Sequence, residues 1–169
     1  FDALCHNIEA YTSKIAQPLT DAMSIHAIEL IANNLVSVYN GTGSKKEWEN
    51  ITMASTIGGM VINTAGVTIA HGMEHPASGL KDIVHGQGLA ALTPIVIEAS
   101  YKGNEEKFAK IAKIFGGESA ADCADKIREL LKSIDLECKL SDLGIAAEDI
   151  SWMAENCMKV SAAGVMNNP

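Results

Sequence analysis

Apolar residues recur at intervals of three and four along most of the chain, which is the spacing of one face of an α-helix. The longest such run extends from Leu19 to Tyr39 and is followed by Asn40-Gly41, a sequence typical of a turn. No segment shows the strict alternation of apolar and polar residues that marks a half-buried strand. The pattern therefore predicts an all-α fold built from several helices.

Capping residues place the helix boundaries. Ser44 followed by Glu47 forms a capping box, and Asn104 is a typical N-cap. Residues 54–70 carry no charge, which predicts a stretch buried on nearly all sides. The predicted helices cover about residues 2–13, 19–39, 45–63, 89–101, 105–115, 119–134 and 148–160.

The composition favours one domain with an aliphatic core. The chain has 169 residues, of which 47% are hydrophobic and only 5% aromatic. Such a core suits packed helices better than a sandwich of strands. The net charge of −8 argues against a nucleic-acid partner, which needs clustered Lys and Arg. No apolar run of about 18 residues is present, so no membrane span is predicted.

Four widely separated cysteines show no CxxC pairing, and no secretory signal is visible. This pattern favours reduced thiols and a cytoplasmic location. The chain starts at Phe1 within a predicted helix and closes on Asn-Asn-Pro. We therefore expect residues 1–169 to form a single all-helical domain within a longer polypeptide.

Candidate metal ligands fall into two clusters. His71, His75 and His85 lie within fifteen residues of one another, and Asp2 and His6 are spaced as i and i+4. Asp2, His6, His71 and His85 together offer three imidazoles and one carboxylate, a set that suits Fe²⁺, Zn²⁺, Ni²⁺ or Co²⁺. An i,i+4 Asp–His pair can equally form only a local hydrogen bond. The isolated His26 is expected to be an ordinary core residue.

Two other interpretations compete with this one. His71-Gly72-Met73-Glu74-His75 fits the H-x-x-E-H pattern of a zinc metallohydrolase, with Glu74 as general base. Pro76 is expected to end the helix that this motif needs, so that a loop precedes His85. This argues against the metallohydrolase interpretation. The second alternative is a non-catalytic helical module whose histidines are structural.

The segments AHGMEHPASGLKDIVHGQGLA and FDALCHNIEAYTSKIAQPLTDA resemble the two metal-binding motifs of the iron-containing (group III) alcohol dehydrogenases. The resemblance is strong from Phe1 to about Glu98. It implies the all-helical C-terminal half of a dehydroquinate synthase-like fold. It also implies that Asp2, His6, His71 and His85 bind the metal, while His75 lines the cleft beside the nicotinamide as a catalytic and cofactor-binding residue.

The same resemblance implies reversible oxidation of a small alcohol to an aldehyde or ketone, with hydride transfer to NAD or NADP. It favours Fe²⁺ as the metal and implies a homo-oligomer. The nucleotide would be bound by an N-terminal α/β domain, since no GxGxxG turn follows a strand here, and the chain alone is expected to be inactive. Asn7 and Glu74 are candidates to orient the ligands.

Overall fold

The computed structural model describes residues 1–169 and contains helices and turns but no strand, which confirms the all-α prediction. Three short 3₁₀ turns, at Tyr101–Gly103, Ala120–Asp122 and Leu140–Leu143, lie between the longer elements. The nine helices are α1 (Asp2–Thr12), α2 (Pro18–Tyr39), α3 (Lys45–Ala65), α4 (Ile69–Lys81), α5 (His85–Ser100), α6 (Glu105–Ile114), α7 (Cys123–Ser133), α8 (Asp149–Val160) and α9 (Ala162–Asn167).

Helix α1 lies at the centre of the fold. It packs against α2, α3, α5 and α6, and eight of its eleven residues are buried. Its apolar side chains, among them Leu4 and Ile8, join a core of 22 buried residues that is almost entirely aliphatic. Only Tyr11 and Phe108 in that core are aromatic, as the composition predicts. The central position of α1 brings its polar residues close to several other helices.

The predicted caps are present. The Ser44 hydroxyl accepts a hydrogen bond from the Glu47 amide, and the Glu47 carboxylate accepts from the Ser44 amide, so the capping box starts α3 as expected. The Asn104 side chain accepts from the Lys107 amide at the start of α6. Gly41, with φ of +72°, follows the end of α2, where a left-handed conformation favours glycine. Local sequence therefore accounts for these boundaries.

The prediction of a loop after Pro76 is wrong. Helix α4 continues through Pro76 to Lys81, although proline cannot donate the bond to the carbonyl four residues earlier. The break comes instead at Asp82, whose φ is +52°, and α5 begins at His85 rather than near Leu89. Two histidines of the cluster thus lie on α4, and the third lies at the first residue of α5.

Two further expectations fail, and one helix was not expected. Residues 54–70 are not buried on nearly all sides, because only one stripe of α3 packs on the core and Ser55, Gly59 and Met60 are exposed. Absence of charge indicated burial there, but small polar residues tolerate water equally well. His26 lies exposed on α2 rather than in the core. The short helix α9 was not predicted.

The four cysteines are unpaired, and three of them are buried. No single helix is both long and apolar enough to cross a membrane. The bent pair formed by Lys45–Ala65 and Ile69–Lys81, with an angle of 103° between the helices, meets that test by length and composition only.

Candidate metal centre

The first turn and a half of α1 supplies two of the candidate ligands. Asp2 and His6 are one helical turn apart and share a face of the helix, so the His6 Nε2 lies 3.4 Å from the Asp2 Oδ1. The Asp2 side chain is 40% exposed and that of His6 20%. This pair lies at the edge of the core rather than inside it.

The histidines of α4 and α5 approach the same carboxylate oxygen. The His71 Nε2 lies 3.3 Å from the Asp2 Oδ1, and the His85 Nε2 lies 3.5 Å from it. The His71 ring centroid is 4.7 Å from that of His6 and 5.3 Å from that of His85. The structure therefore brings all four predicted ligands to one place, although 69 residues separate Asp2 from His71 along the chain.

This arrangement fits a transition-metal ion. Ligand atoms about 2.0–2.2 Å from an ion in a tetrahedral site are roughly 3.3–3.6 Å from one another. The three separations between imidazole Nε2 atoms and the Asp2 oxygen, 3.3, 3.4 and 3.5 Å, lie in that range. Nitrogen from neutral imidazole and oxygen from a carboxylate are also the donors that such ions accept. The residues present can thus hold a divalent cation.

The four candidates are not equivalent. Potential donor atoms of Asp2, His6 and His71 all lie within 4.8 Å of one another, whereas His85 groups in the same way with Glu74 and His75. His85 joins the first set through its contact with Asp2. His75 is exposed, and its ring centroid is 5.9 Å from those of both His71 and His85. The centre is therefore buried at His71 and open towards His75 and His85.

Burial and hydrogen bonding shift the pKa values of these groups in opposite directions. Burial alone would lower the pKa of His71, but its hydrogen bonds with Asp2 and Glu9 outweigh burial and raise that pKa to about 9. The pKa of Asp2 is lowered because contacts with the three imidazoles outweigh its burial. Desolvation lowers the pKa of His6 and of His75. Because these contacts favour the protonated imidazole, protons and a metal ion compete for His71.

A buried carboxylate that the sequence analysis missed contacts His71. Glu9, on α1, is 3% exposed, and its Oε1 accepts a hydrogen bond from the His71 Nδ1. The one available signal in the sequence is an acidic residue inside the apolar segment Ile8–Tyr11 of a buried helix, since an unpaired charge is costly there. That signal does not reveal the partner, which lies on another helix.

The two residues proposed to orient the ligands behave differently. Glu74 is fully buried and its Oε2 pairs with the His85 Nδ1, while its Oε1 accepts from the Ser78 hydroxyl. Asn7 instead donates to the backbone carbonyls of Ala3 and Ala54 and makes no hydrogen bond to a candidate ligand. Glu74 thus orients a histidine, and Asn7 contributes to helix packing.

The position of Glu74 also bears on the metallohydrolase alternative. The argument from Pro76 against that alternative fails, because α4 passes through the proline. However, a general base must reach a water molecule beside the ion. Glu74 is fully buried, and both of its oxygens are already engaged. The H-x-x-E-H motif therefore lacks a free base in this fold.

A half-open cavity of about 390 Å³ borders the other side of the centre. Asp2 and His6 form part of its wall, and Ile31, Leu35 and Ile51 of α2 and α3 form much of the rest. Neither His71 nor His75 nor His85 lines it. The centre thus has an imidazole-rich open side and an apolar side.

Comparisons with known proteins find similarity along the whole chain. The family model described as "Fe-containing alcohol dehydrogenase family, C-terminal" matches residues 1–169. The 1,3-propanediol dehydrogenase of Klebsiella pneumoniae is 40% identical over 166 residues, covering 94% of this chain and 43% of that protein.

Solved structures give the same result. A crystal structure of 1,3-propanediol oxidoreductase matches with a TM-score of 0.89 and 39% identity, over 99% of this chain and 46% of the other. An archaeal halo-thermophilic alcohol dehydrogenase from a Red Sea brine pool matches with a TM-score of 0.91 and 31% identity, over 99% of this chain and 45% of the other. This chain spans less than half the length of each of these relatives.

Proposed function

The chain belongs to the iron-containing alcohol dehydrogenase family, matching its C-terminal part, and we propose that it carries the metal centre of an NAD(P)-dependent alcohol dehydrogenase. The proposed reaction is the reversible oxidation of a small alcohol to an aldehyde or ketone. The observation that carries the proposal is the approach of three imidazole Nε2 atoms to the Asp2 Oδ1 at 3.3–3.5 Å.

We propose that Asp2, His6, His71 and His85 hold the ion, with Fe²⁺ favoured by family membership and Zn²⁺, Ni²⁺ or Co²⁺ as alternatives. A bound divalent cation would supply Lewis acidity towards an alcohol or carbonyl oxygen. The protein residues determine where the ion lies and which side of it remains accessible. His71, at 3% side-chain exposure, fixes the buried side, and the more exposed Asp2 and His85 leave access for a small molecule.

His75 is the proposed proton-handling and cofactor-facing residue. It is exposed one helical turn from His71, and desolvation together with the nearby His71 charge lowers its pKa. A lowered pKa leaves the imidazole neutral near pH 7, so it can accept the proton that an alcohol loses on oxidation. Its place at the open side also suits contact with a nicotinamide ring.

We propose that NAD or NADP is bound mainly by a part of the protein outside these residues. The matched relatives are more than twice as long as the matched stretch, and this chain has no glycine-rich turn after a strand. Residues 1–169 would then form one all-helical domain of a cytoplasmic homo-oligomeric enzyme. The substrate would be a small alcohol or aldehyde, in line with the relatives' names.

Metal analysis tests the centre directly. The purified chain loaded with Zn²⁺ and then desalted should retain one ion per chain. His71→Ala and His85→Ala should each lose the ion while far-ultraviolet circular dichroism shows unchanged helix content. His26→Ala is the matched control, because His26 is exposed on α2, and it should retain the ion. Stoichiometric metal in both site variants would refute the ligand assignment.

A second assay tests whether nucleotide binding requires a part of the protein outside residues 1–169. Residues 1–169 alone should show no alcohol-dependent reduction of NAD or NADP, followed at the nicotinamide absorbance. Turnover at ordinary enzymatic rates by this chain would contradict the proposal that nucleotide binding lies elsewhere.

A further inference from the structure

Glu9 accepts more hydrogen bonds than are needed to orient the His71 ring. Its Oε2 accepts from the Thr68 hydroxyl at 2.8 Å and from the Thr68 and His71 amides, while its Oε1 accepts from the His71 Nδ1. The Thr68 side chain makes no capping bond of its own to α4. The carboxylate of α1 therefore serves as the N-terminal cap of α4, where exposed amides and the helix dipole favour an anion.

Glu74 holds His85 in a similar way from within α4. Its two oxygens contact the His85 Nδ1 and the Ser78 hydroxyl. Gly88 leaves room for it, since a Cβ at that position would lie 2.8 Å from the Glu74 Cγ. Both carboxylates are almost fully buried, at 3% and 0% exposure.

The consequence concerns the tautomer of each ring. A carboxylate on Nδ1 keeps a proton there, so in the neutral ring the lone pair lies on Nε2, the atom that faces Asp2 in both His71 and His85. His6 has no carboxylate on its Nδ1; its one acidic contact is Asp2. In their neutral form, two imidazoles of the centre thus present Nε2 towards Asp2, whereas no carboxylate orients His6 through its Nδ1.

We infer that Glu9 and Glu74 are positioning residues that hold His71 and His85, respectively, with Nε2 towards the metal position, and that Glu9 also sets the register between α1 and α4. This inference rests on the proposed metal centre. Breaking either contact should weaken metal binding by about 10- to 100-fold, the usual effect of removing such a partner.

The test measures metal affinity rather than turnover. Glu9→Gln and Glu74→Gln preserve shape, but one amide group cannot accept all the hydrogen bonds that each carboxylate accepts. Zn²⁺ affinity, from competition with a chromophoric chelator, should fall about 10- to 100-fold in each variant. The visible absorption bands of bound Co²⁺ should also shift, because the imidazole loses an anionic partner. Unchanged Zn²⁺ affinity, within about twofold, and an unchanged Co²⁺ spectrum in both variants would overturn the inference.

Two further variants separate positioning from folding. Thr68→Val removes a hydroxyl bonded to Glu9, and Ser78→Ala removes one bonded to Glu74, while both imidazole–carboxylate pairs remain. These variants should lower the unfolding midpoint and leave Zn²⁺ affinity within about twofold. If they weaken Zn²⁺ binding as much as the glutamine variants do, the carboxylates act through helix docking and the inference is wrong. If the unaltered chain binds neither Zn²⁺ nor Co²⁺, the proposed metal centre itself fails.

Discussion

Replacing Gly88 by alanine tests the packing behind His85. Gly88 is buried in the first turns of α5, and an added Cβ would lie 2.8 Å from both the Cγ and the Oε1 of Glu74 and 3.0 Å from the Cδ1 of Ile83. Carbon atoms in contact are normally about 3.5–4.0 Å apart, so something must move by roughly 0.5–1 Å. The Glu74 carboxylate is fully buried and engaged on both oxygens, which leaves it no free position.

The expected cost comes from overpacking, which destabilises proteins by about 1–3 kcal/mol. Alanine also favours the helix over glycine by up to about 1 kcal/mol, which would hide part of that cost. Gly86→Ala in the same turn is the matched control, because a Cβ there meets nothing within 4 Å. Most of the propensity gain cancels between the two variants. Gly88→Ala should therefore be about 1–3 kcal/mol less stable than Gly86→Ala.

Urea denaturation of the metal-free variants measures that difference, and chelator competition measures Zn²⁺ affinity. Because Glu74 is the group displaced, Gly88→Ala should also bind Zn²⁺ about 10- to 100-fold more weakly than Gly86→Ala. Equal stability and equal Zn²⁺ affinity in the two variants would show that the Glu74 side chain can move aside without loss of stability. Glu74 would then not be held in a fixed position.

Two other predictions concern parts of the fold away from the metal. Hydrogen bonds from Ser37 and Ser44 lower the pKa of Glu47 from 4.5 to about 2, so the stability that its carboxylate contributes is present above pH 4.5 and is lost as the pH falls through 2. Urea denaturation between pH 2 and 7 should show that Glu47→Gln lacks this acid-dependent part of the stability. Identical pH profiles of the variant and the unaltered chain would contradict this prediction. Ile127→Ala, at a fully buried core position, should lower the free energy of unfolding by about 2–5 kcal/mol. Val160→Ala, at an exposed position, should change it by less than about 0.5 kcal/mol. Equal losses in the two variants would refute the core assignment.

Most helices could be predicted because their ends are local. Ser44 with Glu47 and Asn104 with Lys107 form caps within four residues, and the apolar spacing between them requires no distant partner. The helix through Pro76 could not be predicted, because it depends on distant contacts. The usual effect of proline is to end a helix, but α4 packs against α5, α8 and α9, and those contacts hold it together through the proline.

The ligand set could be proposed from residue type and spacing, since Asp2 and His6 share a helix face and three histidines cluster downstream. The partners of those ligands could not. The Glu9 carboxylate contacts residues 59 and 62 positions away, and nothing near it in the chain indicates that α4 starts beside it. The position of Glu74 in the histidine segment predicts that it lies near the site, which is correct, whereas Asn7, which follows His6 directly, serves helix packing.

Glu9 shows why the fold and the site depend on each other. The same carboxylate caps α4 and holds the His71 ring, while the same helix α1 carries Asp2 and His6. A cation bound by ligands on α1, α4 and α5 would therefore tie together the contacts that Glu9 and Glu74 already make between these helices. Any ligand that binds the folded state alone stabilises it in proportion to its affinity and concentration. Metal removal should then loosen the attachment of α4 and α5 to α1 first, and leave the aliphatic core around α1, α2, α3, α6 and α7 intact.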